Sequence, residues 1–144
     1  MSDRRRVVVD TSTLIGAALR PDSVPRRALI AALRTCEPCV SPATLRELRE
    51  VLLRPKFNRY APLQARLDFW ILVSRHSCLV ELDARSEQTA AGVCRDAQDA
   101  KFLVLALASQ AVALITSDAD LLVLHPWQGV PILTPAAFLQ TMDE

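Results

Sequence analysis

Acidic residues follow two of the apolar segments in this chain. Asp118 and Asp120 come directly after an apolar run, in the stretch ITSDADLL at residues 115–122. Asp10 ends another apolar run, RVVVD, near the beginning of the chain. A carboxylate beside a buried strand is stable only if it caps a helix, stays hydrated or meets a cation. These three residues are therefore the first to consider for chemistry.

Two further acids, Glu47 and Asp99, lie where they can share a cleft with them. Asp99 lies at or near the start of the predicted helix that leads into the strand before Asp118. Glu47 lies about two turns into the predicted helix after the second strand. In an open parallel sheet, ligands bind beyond the carboxyl ends of the strands, where the winding reverses. Four of these acids, Asp10, Glu47, Asp99 and Asp118, can therefore share one cleft, although the pattern alone does not fix which end of the sheet Asp99 faces.

A shared cleft of this kind would need a cation. Two unit charges about 5 Å apart repel by roughly 3 kcal/mol at an effective dielectric constant of 20, so four carboxylates would not stay ionised together unaided. Ligation by oxygen alone favours Mg²⁺ or Mn²⁺ over zinc. Such ions activate a bound water and stabilise the attacking and leaving oxygens of a phosphoryl displacement. The acids therefore indicate phosphodiester hydrolysis without a protein nucleophile.

Each acid also has an ordinary structural explanation. Asp99 could be a favourable charge at a helix N-terminus, Glu47 a solvated helix position, and Asp120 a cap for the turn ADLLVL. Asp10 is harder to explain in this way, because it ends a buried strand next to the start of a helix. Asp10 is therefore the strongest single candidate for a functional role.

Other kinds of site are less well supported. An aspartyl-nucleophile phosphatase needs an acid two residues after Asp10, where Ser12 lies, and the three glycines form no nucleotide-binding loop. The motif CEPC at residues 36–39 could form a zinc site with RHSC at residues 75–78. Both stretches also read as entries to strands, so buried and reduced cysteines are the favoured interpretation.

The apolar pattern predicts an α/β fold. Short β-branched segments alternate with helix-length amphipathic ones, which is typical of a three-layer α/β/α sandwich with a central parallel sheet of four to five strands. The predicted strands are residues 6–10, 38–41, 78–82, 111–116 and 129–133. The predicted helices are residues 11–20, 25–35, 41–55, 62–76, 99–110 and 135–142, and the predicted loop is residues 83–93.

The composition predicts a single soluble domain over residues 1–144. Hydrophobic residues make up 51% of the chain, but no apolar run approaches the roughly 20 residues that a membrane helix needs. The N-terminal sequence MSDRRRVVVD lacks the apolar core of a secretory signal, so a cytoplasmic location is expected. The net charge is only +1, yet 15 of the 17 basic residues are arginine, which binds phosphate well.

Four segments, taken in order, carry a resemblance to a known family. They are VVVDTSTLIGAAL, VSPATLRELREVLLRPKF, CRDAQDAKFLVLALA and ALITSDADLLVL. Together they resemble the PIN-domain nucleases, in particular the small VapC-like ribonucleases that act as toxins in type II toxin-antitoxin pairs. The resemblance implies a PIN-like, Rossmann-like fold and a Mg²⁺ or Mn²⁺ dependent endoribonuclease whose products carry a 5′-phosphate and a 3′-hydroxyl.

The resemblance also implies roles for individual residues. Asp10, Glu47, Asp99 and Asp118 would be the catalytic metal ligands, with Asp120 and Asp96 in a lesser metal-binding role. Hydroxyls that could bond to these acids belong to Thr11, Ser12, Thr116 and Ser117. Glu50 lies one turn beyond Glu47, and spacing alone does not exclude it. Family members often carry an acid where this chain has Ala100, which implies weaker binding of a second metal ion.

Single-stranded RNA and a protein partner are the expected binding partners. A basic stretch that could follow the phosphates comprises Arg46, Arg49, Arg54, Lys56 and Arg59, with Arg4, Arg5 and Arg6 before the first strand. In the toxin interpretation an antitoxin would lay an apolar helix on the surface, and residues 25–34 and 62–76 are candidate surfaces for it or for a homodimer. The alternatives are a PIN fold that binds RNA or protein without cutting, and a phosphatase or DNA nuclease that uses the same acids.

Overall fold

A parallel sheet of five strands forms the centre of the computed structural model, which describes residues 4–142. The strands are β1 (Arg6–Val9), β2 (Glu37–Val40), β3 (Cys78–Leu79), β4 (Ala113–Ile115) and β5 (Ile132–Leu133). Their order is β3-β2-β1-β4-β5, and every neighbouring pair is parallel. The chain winds outward from β1 to β3, returns to β4 and continues to β5. The winding therefore reverses between β1 and β4, where such sheets form a crevice for ligands.

Helices cover both faces of this sheet. They are α1 (Thr11–Leu19), α2 (Val24–Thr35), α3 (Pro42–Leu52), α4 (Leu63–His76), α5 (Ala84–Ala90), α6 (Ala100–Ala108), α7 (Ala119–Leu122) and α8 (Pro135–Met142). Short 3₁₀ helices lie at Pro55–Phe57 and Ala97–Asp99. The predicted α/β/α fold with a central parallel sheet is confirmed.

The consecutive valines of β1 show how the layers form. Val7 and Val9 pack on one face with buried residues of α1 to α4 and α8. Val8 packs on the other face with buried residues of α5, α6 and α7. Successive side chains of a strand point to opposite faces, so a strand covered on both sides must be apolar throughout.

Residues 83–93 correct the sequence-based prediction, because part of the predicted loop is helix α5. The Asp83 carboxylate accepts a hydrogen bond of 2.7 Å from the Ser86 backbone N–H and so begins the helix. Ser86 and Ala90 are its buried residues. Small side chains of this kind pack closely without giving the apolar period by which a helix is recognised. Strands β3 and β5 are also shorter than predicted.

The four cysteines are free thiols, of which Cys36 and Cys39 are buried and Cys78 and Cys94 are partly exposed. Cys36 packs on the α1 and α2 side of the sheet, whereas Cys39 packs on the opposite side, so the C-x-x-C motif does not bring its thiols together. Cys39 lies opposite Cys78 on β3, with Glu37 nearby. Burial, followed by the charge of Cys78, raises the pKa of Cys39 to about 12.

The helices are also short. Among the residues described, none of them combines the length and the apolar character that crossing a membrane requires.

Candidate active site

Asp10 is held at the end of β1 as the N-cap of α1. Its side chain is only 3% exposed and accepts three hydrogen bonds. The donors are the Thr13 backbone N–H at 3.0 Å, the Ser12 hydroxyl at 3.2 Å and the Thr116 hydroxyl at 2.5 Å. Burial raises the pKa of Asp10 above its usual value, and the hydrogen bonds from Thr116, Thr13 and Ser12 partly offset that rise.

Thr116 joins the ends of β1 and β4. Its fully buried hydroxyl donates to Asp10 and accepts a 2.9 Å hydrogen bond from the Asp118 backbone N–H. The Asp118 carboxylate in turn accepts a 2.9 Å hydrogen bond from the Asp120 backbone N–H and caps α7. The expectation that Asp120 caps this turn is therefore wrong, because Asp118 does so. Asp118 precedes the first residue of α7, so its carboxylate is the one that reaches the free N–H group at the start of this helix.

Asp99, Asp118 and Asp120 form a group of carboxylates. One oxygen from each lies within 4.8 Å of the others. The pKa of Asp99 is raised to about 6, first by burial and then by the negative charge of Asp118 and a hydrogen bond with it, with smaller effects from Asp96 and Asp120. The charges of this group also contribute, after burial, to a raised pKa of the Cys94 thiol. Crowding of this kind is relieved when a cation binds.

Glu47 lies on α3, and its carboxylate is paired with a residue that was not predicted from the sequence. Its carboxylate forms an ion pair with the Lys101 ammonium of α6. The Lys101 side chain is only 16% exposed, and Nζ also lies 3.4 Å from the Gln98 side-chain oxygen. A signal was present in the sequence, since Lys101 is the one charged residue of the apolar helix AKFLVLALA. A charge on such a helix is rarely buried without a partner.

One cavity of about 340 Å³ joins these residues. Its acidic lining residues are Asp10, Glu47, Asp99 and Asp118. The other polar lining residues are Thr11, Ser12, Arg54 and Lys56, and the apolar ones are Ile15, Val51, Phe57 and Phe102. The four acids that the sequence placed together therefore lie around one cavity, at the point between β1 and β4 where the winding reverses.

The remaining candidate residues lie outside the lining of this cavity. Asp96 is exposed and accepts a 2.9 Å hydrogen bond from the Gln98 backbone N–H. Asp120 approaches Arg95 at 3.9 Å, a pair that is largely solvated. Ser117 is exposed. Arg46 and Glu50 line a neighbouring cavity together with Glu47 and Lys101, and Arg49 is exposed.

Arg66 fixes the segment that carries the two cationic lining residues. Its guanidinium is 1% exposed and donates to the carbonyl oxygens of Leu52 at 2.6 Å, Arg54 at 3.3 Å and Ala61 at 3.1 Å, and to the side chain of Asn58. A buried arginine needs such partners to offset the loss of hydration. The turn after α3 is thereby held against α4, with Arg54 and Lys56 at the cavity.

The residues of the cavity fit a hard divalent cation. The nearby donors are carboxylate and hydroxyl oxygens, which suit Mg²⁺ and Mn²⁺. Burial, and then the neighbouring acids, raise the pKa of Asp99 and so disfavour its ionised form. The arrangement is thus unfavourable for the bare charges and would be favourable with a cation present.

Comparison with known proteins identifies the family. The sequence profile of the PIN domain matches residues 6–120, a span that includes all the acids described above. The chain belongs to the PIN-domain family. The predicted membership of this nuclease family is confirmed.

Named relatives show the same relationship. The uncharacterized protein MJ1680 of Methanocaldococcus jannaschii is 32% identical over 121 residues, which are 83% of this chain and 75% of MJ1680. The fold is similar to that of VapBC2 from Rickettsia felis, solved with a DNA fragment from their promoter, with a TM-score of 0.63 and 15% identity over 90% of this chain and 98% of that chain. It is also similar to Mycobacterium tuberculosis VapC20, a sarcin-ricin loop cleaving toxin, with a TM-score of 0.55 and 16% identity over 87% of this chain and 98% of that chain. The PIN domain thus has the VapC-like fold that the sequence predicted.

Proposed function

We propose that this PIN-domain protein is a metal-dependent endoribonuclease that hydrolyses phosphodiester bonds of single-stranded RNA. One observation carries the proposal: Asp10, Glu47, Asp99 and Asp118 come from four separate places in the chain and line a single cavity. Carboxylates that share a cavity repel one another, and the caps that Asp10 and Asp118 form do not require them to share it. Their convergence is therefore best explained by function.

The metal ligands in this proposal are Asp99, Asp118 and Asp10, with Glu47 and Asp120 at the edge of the group. A bound Mg²⁺ or Mn²⁺ would supply an activated water and stabilise the charge that develops on the phosphate. Asp10 is oriented by the donors Thr116, Ser12 and the Thr13 backbone N–H, so the carboxylate needs little rearrangement to accept a cation. Fixed orientation of a ligand by its hydrogen-bonded neighbours strengthens metal binding.

The substrate in this proposal is a flexible RNA strand. Arg54 and Lys56 line the same cavity as the acids and can pair with phosphates on either side of the reacting one. Phe57 lies in the lining, with the Lys56 ammonium 5.1 Å from the centre of its ring. An aromatic face next to cations suits an unpaired base. Arg46 and Arg49, which lie outside this lining, contribute less in this proposal.

We further propose that the protein is a toxin that acts in the cytoplasm and has an antitoxin partner. The fold shared with VapBC2 and VapC20 supports it. Helix α4 supports a partner surface, because Leu63, Ile71 and Leu72 are 41 to 50% exposed while only Arg66 and Val73 of the helix are buried. Such apolar positions suit an apolar helix of an antitoxin or a second copy of the chain.

The central experiment is cleavage of a mixed pool of single-stranded RNA by the purified protein. Wild type is compared with Asp10→Asn and with Asp68→Asn, a matched change at an exposed carboxylate of α4. Each is assayed with Mn²⁺, Mg²⁺ or EDTA, beside single-stranded DNA and a phosphomonoester. We expect cutting of RNA by wild type and Asp68→Asn only when a metal is present, and none by Asp10→Asn.

The outcome also separates the alternatives. Equal cutting by wild type and Asp10→Asn would assign the activity to a contaminant. RNA binding without cutting in any metal would favour a non-catalytic binding module, and preference for DNA or for the phosphomonoester would contradict the substrate. Induced expression in a bacterial host tests the toxin role, since wild type should arrest growth and Asp10→Asn should not.

A further inference from the structure

Lys101 lies beside the acidic cleft, in a neighbouring cavity that Glu47 also lines. It lies in the first turn of α6, two residues after Asp99, and its ammonium pairs with the Glu47 carboxylate of α3. Both side chains are mostly shielded, with exposed fractions of 16% for Lys101 and 27% for Glu47. Shielding strengthens an ion pair and limits the motion that would break it. Lys101 therefore differs from Lys56, whose residue is exposed at the rim of the cavity.

This ion pair distinguishes Glu47 from the three aspartates Asp99, Asp118 and Asp120. Asp99, Asp118 and Asp120 have oxygens within 4.8 Å of one another, and within residues 4–142 Glu47 joins no such group with other acids. The carboxylate of Glu47 already has its counter-charge. In the described part of the chain, the one basic side chain within 4 Å of the three aspartates is that of Arg95, which is largely solvated and 3.9 Å from Asp120. A divalent cation is therefore needed on the aspartate side of the cleft and not on the Glu47 side.

We propose that Lys101 is a positioning residue that takes the place of a second metal ion, so that the cleft binds one divalent cation. This inference rests on the proposed function. A cation bound directly to Glu47 would lie close to the ammonium and be repelled by it. The residue between Asp99 and Lys101 is Ala100, which offers no ligand. The start of α6 thus places the Asp99 carboxylate in the cleft and the Lys101 ammonium beside it, paired with Glu47.

The test counts bound Mn²⁺ ions per chain by electron paramagnetic resonance titration of the metal-free protein. Wild type should bind one ion. Lys101→Met keeps the length of the side chain, removes the charge and frees Glu47, so it should bind two. Lys101→Arg should return the count to one. Lys56→Met, the same change at the other lysine of the chain, should leave the count at one.

A double variant and a second neutral variant make the result specific. Adding Glu47→Gln to Lys101→Met should remove the second ion, because the freed carboxylate is its ligand. Lys101→Gln should behave like Lys101→Met, which keeps the test available if the methionine variant does not fold by circular dichroism.

The possible failures are distinguishable. Two ions in wild type, or one ion in both neutral variants, would overturn the role of Lys101 and leave the proposed nuclease function intact. No Mn²⁺ bound by wild type at millimolar concentration would instead overturn the proposed function and this inference with it.

Discussion

The two sides of the acidic cleft solve the problem of holding a carboxylate in different ways. Asp10 is almost fully buried, and two hydroxyls and a backbone N–H satisfy its oxygens. Asp99, Asp118 and Asp120 are partly exposed and lie close together. One acid is thus stabilised by neutral donors of the fold, while the others repel one another until a cation arrives.

The difference indicates separate tasks for the two sides. Asp10 provides a rigid reference point, because its donors come from α1 and from the end of β4. In the proposed function, the aspartate group provides the charge that attracts a cation. Fold stability should therefore depend on the hydrogen bonds of Asp10, and metal affinity should depend on the crowded aspartates.

Among the changes on the aspartate side, Asp118→Asn should give the largest effect on activity. Losing one metal ligand removes several kcal/mol of charge stabilisation, which corresponds to a loss of about a thousandfold in cleavage rate. The fold should be kept, since an asparagine oxygen can still accept from the Asp120 N–H and one repelling charge is gone. Rate assays and thermal unfolding measure both. A large fall in melting temperature would mean that Asp118 is chiefly structural.

Adding Mg²⁺ to the metal-free protein should raise its melting temperature. Binding to the folded chain alone stabilises it by about 2.7 kcal/mol at a ligand concentration 100 times the dissociation constant. The shift should be much smaller in Asp118→Asn, while Asp68→Asn should shift like wild type. Differential scanning calorimetry across a Mg²⁺ series gives the result. The absence of a shift at tens of millimolar would contradict a preformed site.

Thr116→Val should lower the free energy of unfolding, because Thr116 holds the Asp10 carboxylate in place. The substitution keeps the shape but removes the donor to Asp10 and leaves the Asp118 N–H without its acceptor, at a cost of about 1–3 kcal/mol. Thr116→Ser keeps the hydroxyl and serves as the control. Urea unfolding compares the free energies of the three proteins. Equal stability of the valine variant and wild type would show that the Thr116 hydroxyl does not support the site.

The smallest effect expected is on the pH dependence of stability in the metal-free protein. Asp99 has a pKa of about 6 in the folded chain against a usual value of 3.8. A raised pKa means that the folded chain holds this proton more tightly, so the stabilisation is complete below pH about 4 and is lost as the pH rises through about 6. The melting temperature of Asp99→Asn, relative to that of wild type, should therefore rise as the pH increases over this range. A constant difference between pH 4 and 7 would contradict the shift.

Much of the fold could be predicted because its signals are local. The three buried valines of β1 required cover on both faces, and Ser41 with Pro42 marked the start of α3. Helix α5 was missed, because Ser86 and Ala90 bury little apolar surface and the helix is set by packing against α6. Local patterns do not record such tertiary contacts.

The candidate site was predictable in its acids and less so in its cations. A parallel sheet brings the carboxyl ends of its strands to one edge, and the observed order puts β1 beside β4, which brings Asp10 and Asp118 together. Lys101 was not anticipated, because its partner Glu47 is 54 positions away in the sequence and only the packing of α3 beside α6 joins them. The sequence also did not show that Arg54 and Lys56 line the cavity while Arg46 and Arg49 lie outside its lining. That difference depends on the turn that Arg66 holds.

The buried Arg66 has a consequence for the entropy of substrate binding. Its bond to the Leu52 carbonyl closes a loop of 14 positions that contains Arg54 and Lys56. Ordering a free loop of this kind when RNA arrives would oppose binding by restricting its backbone and its long side chains. Here the backbone of that loop is restrained when the chain folds, so in the proposed function Arg54 and Lys56 would meet the RNA already arranged.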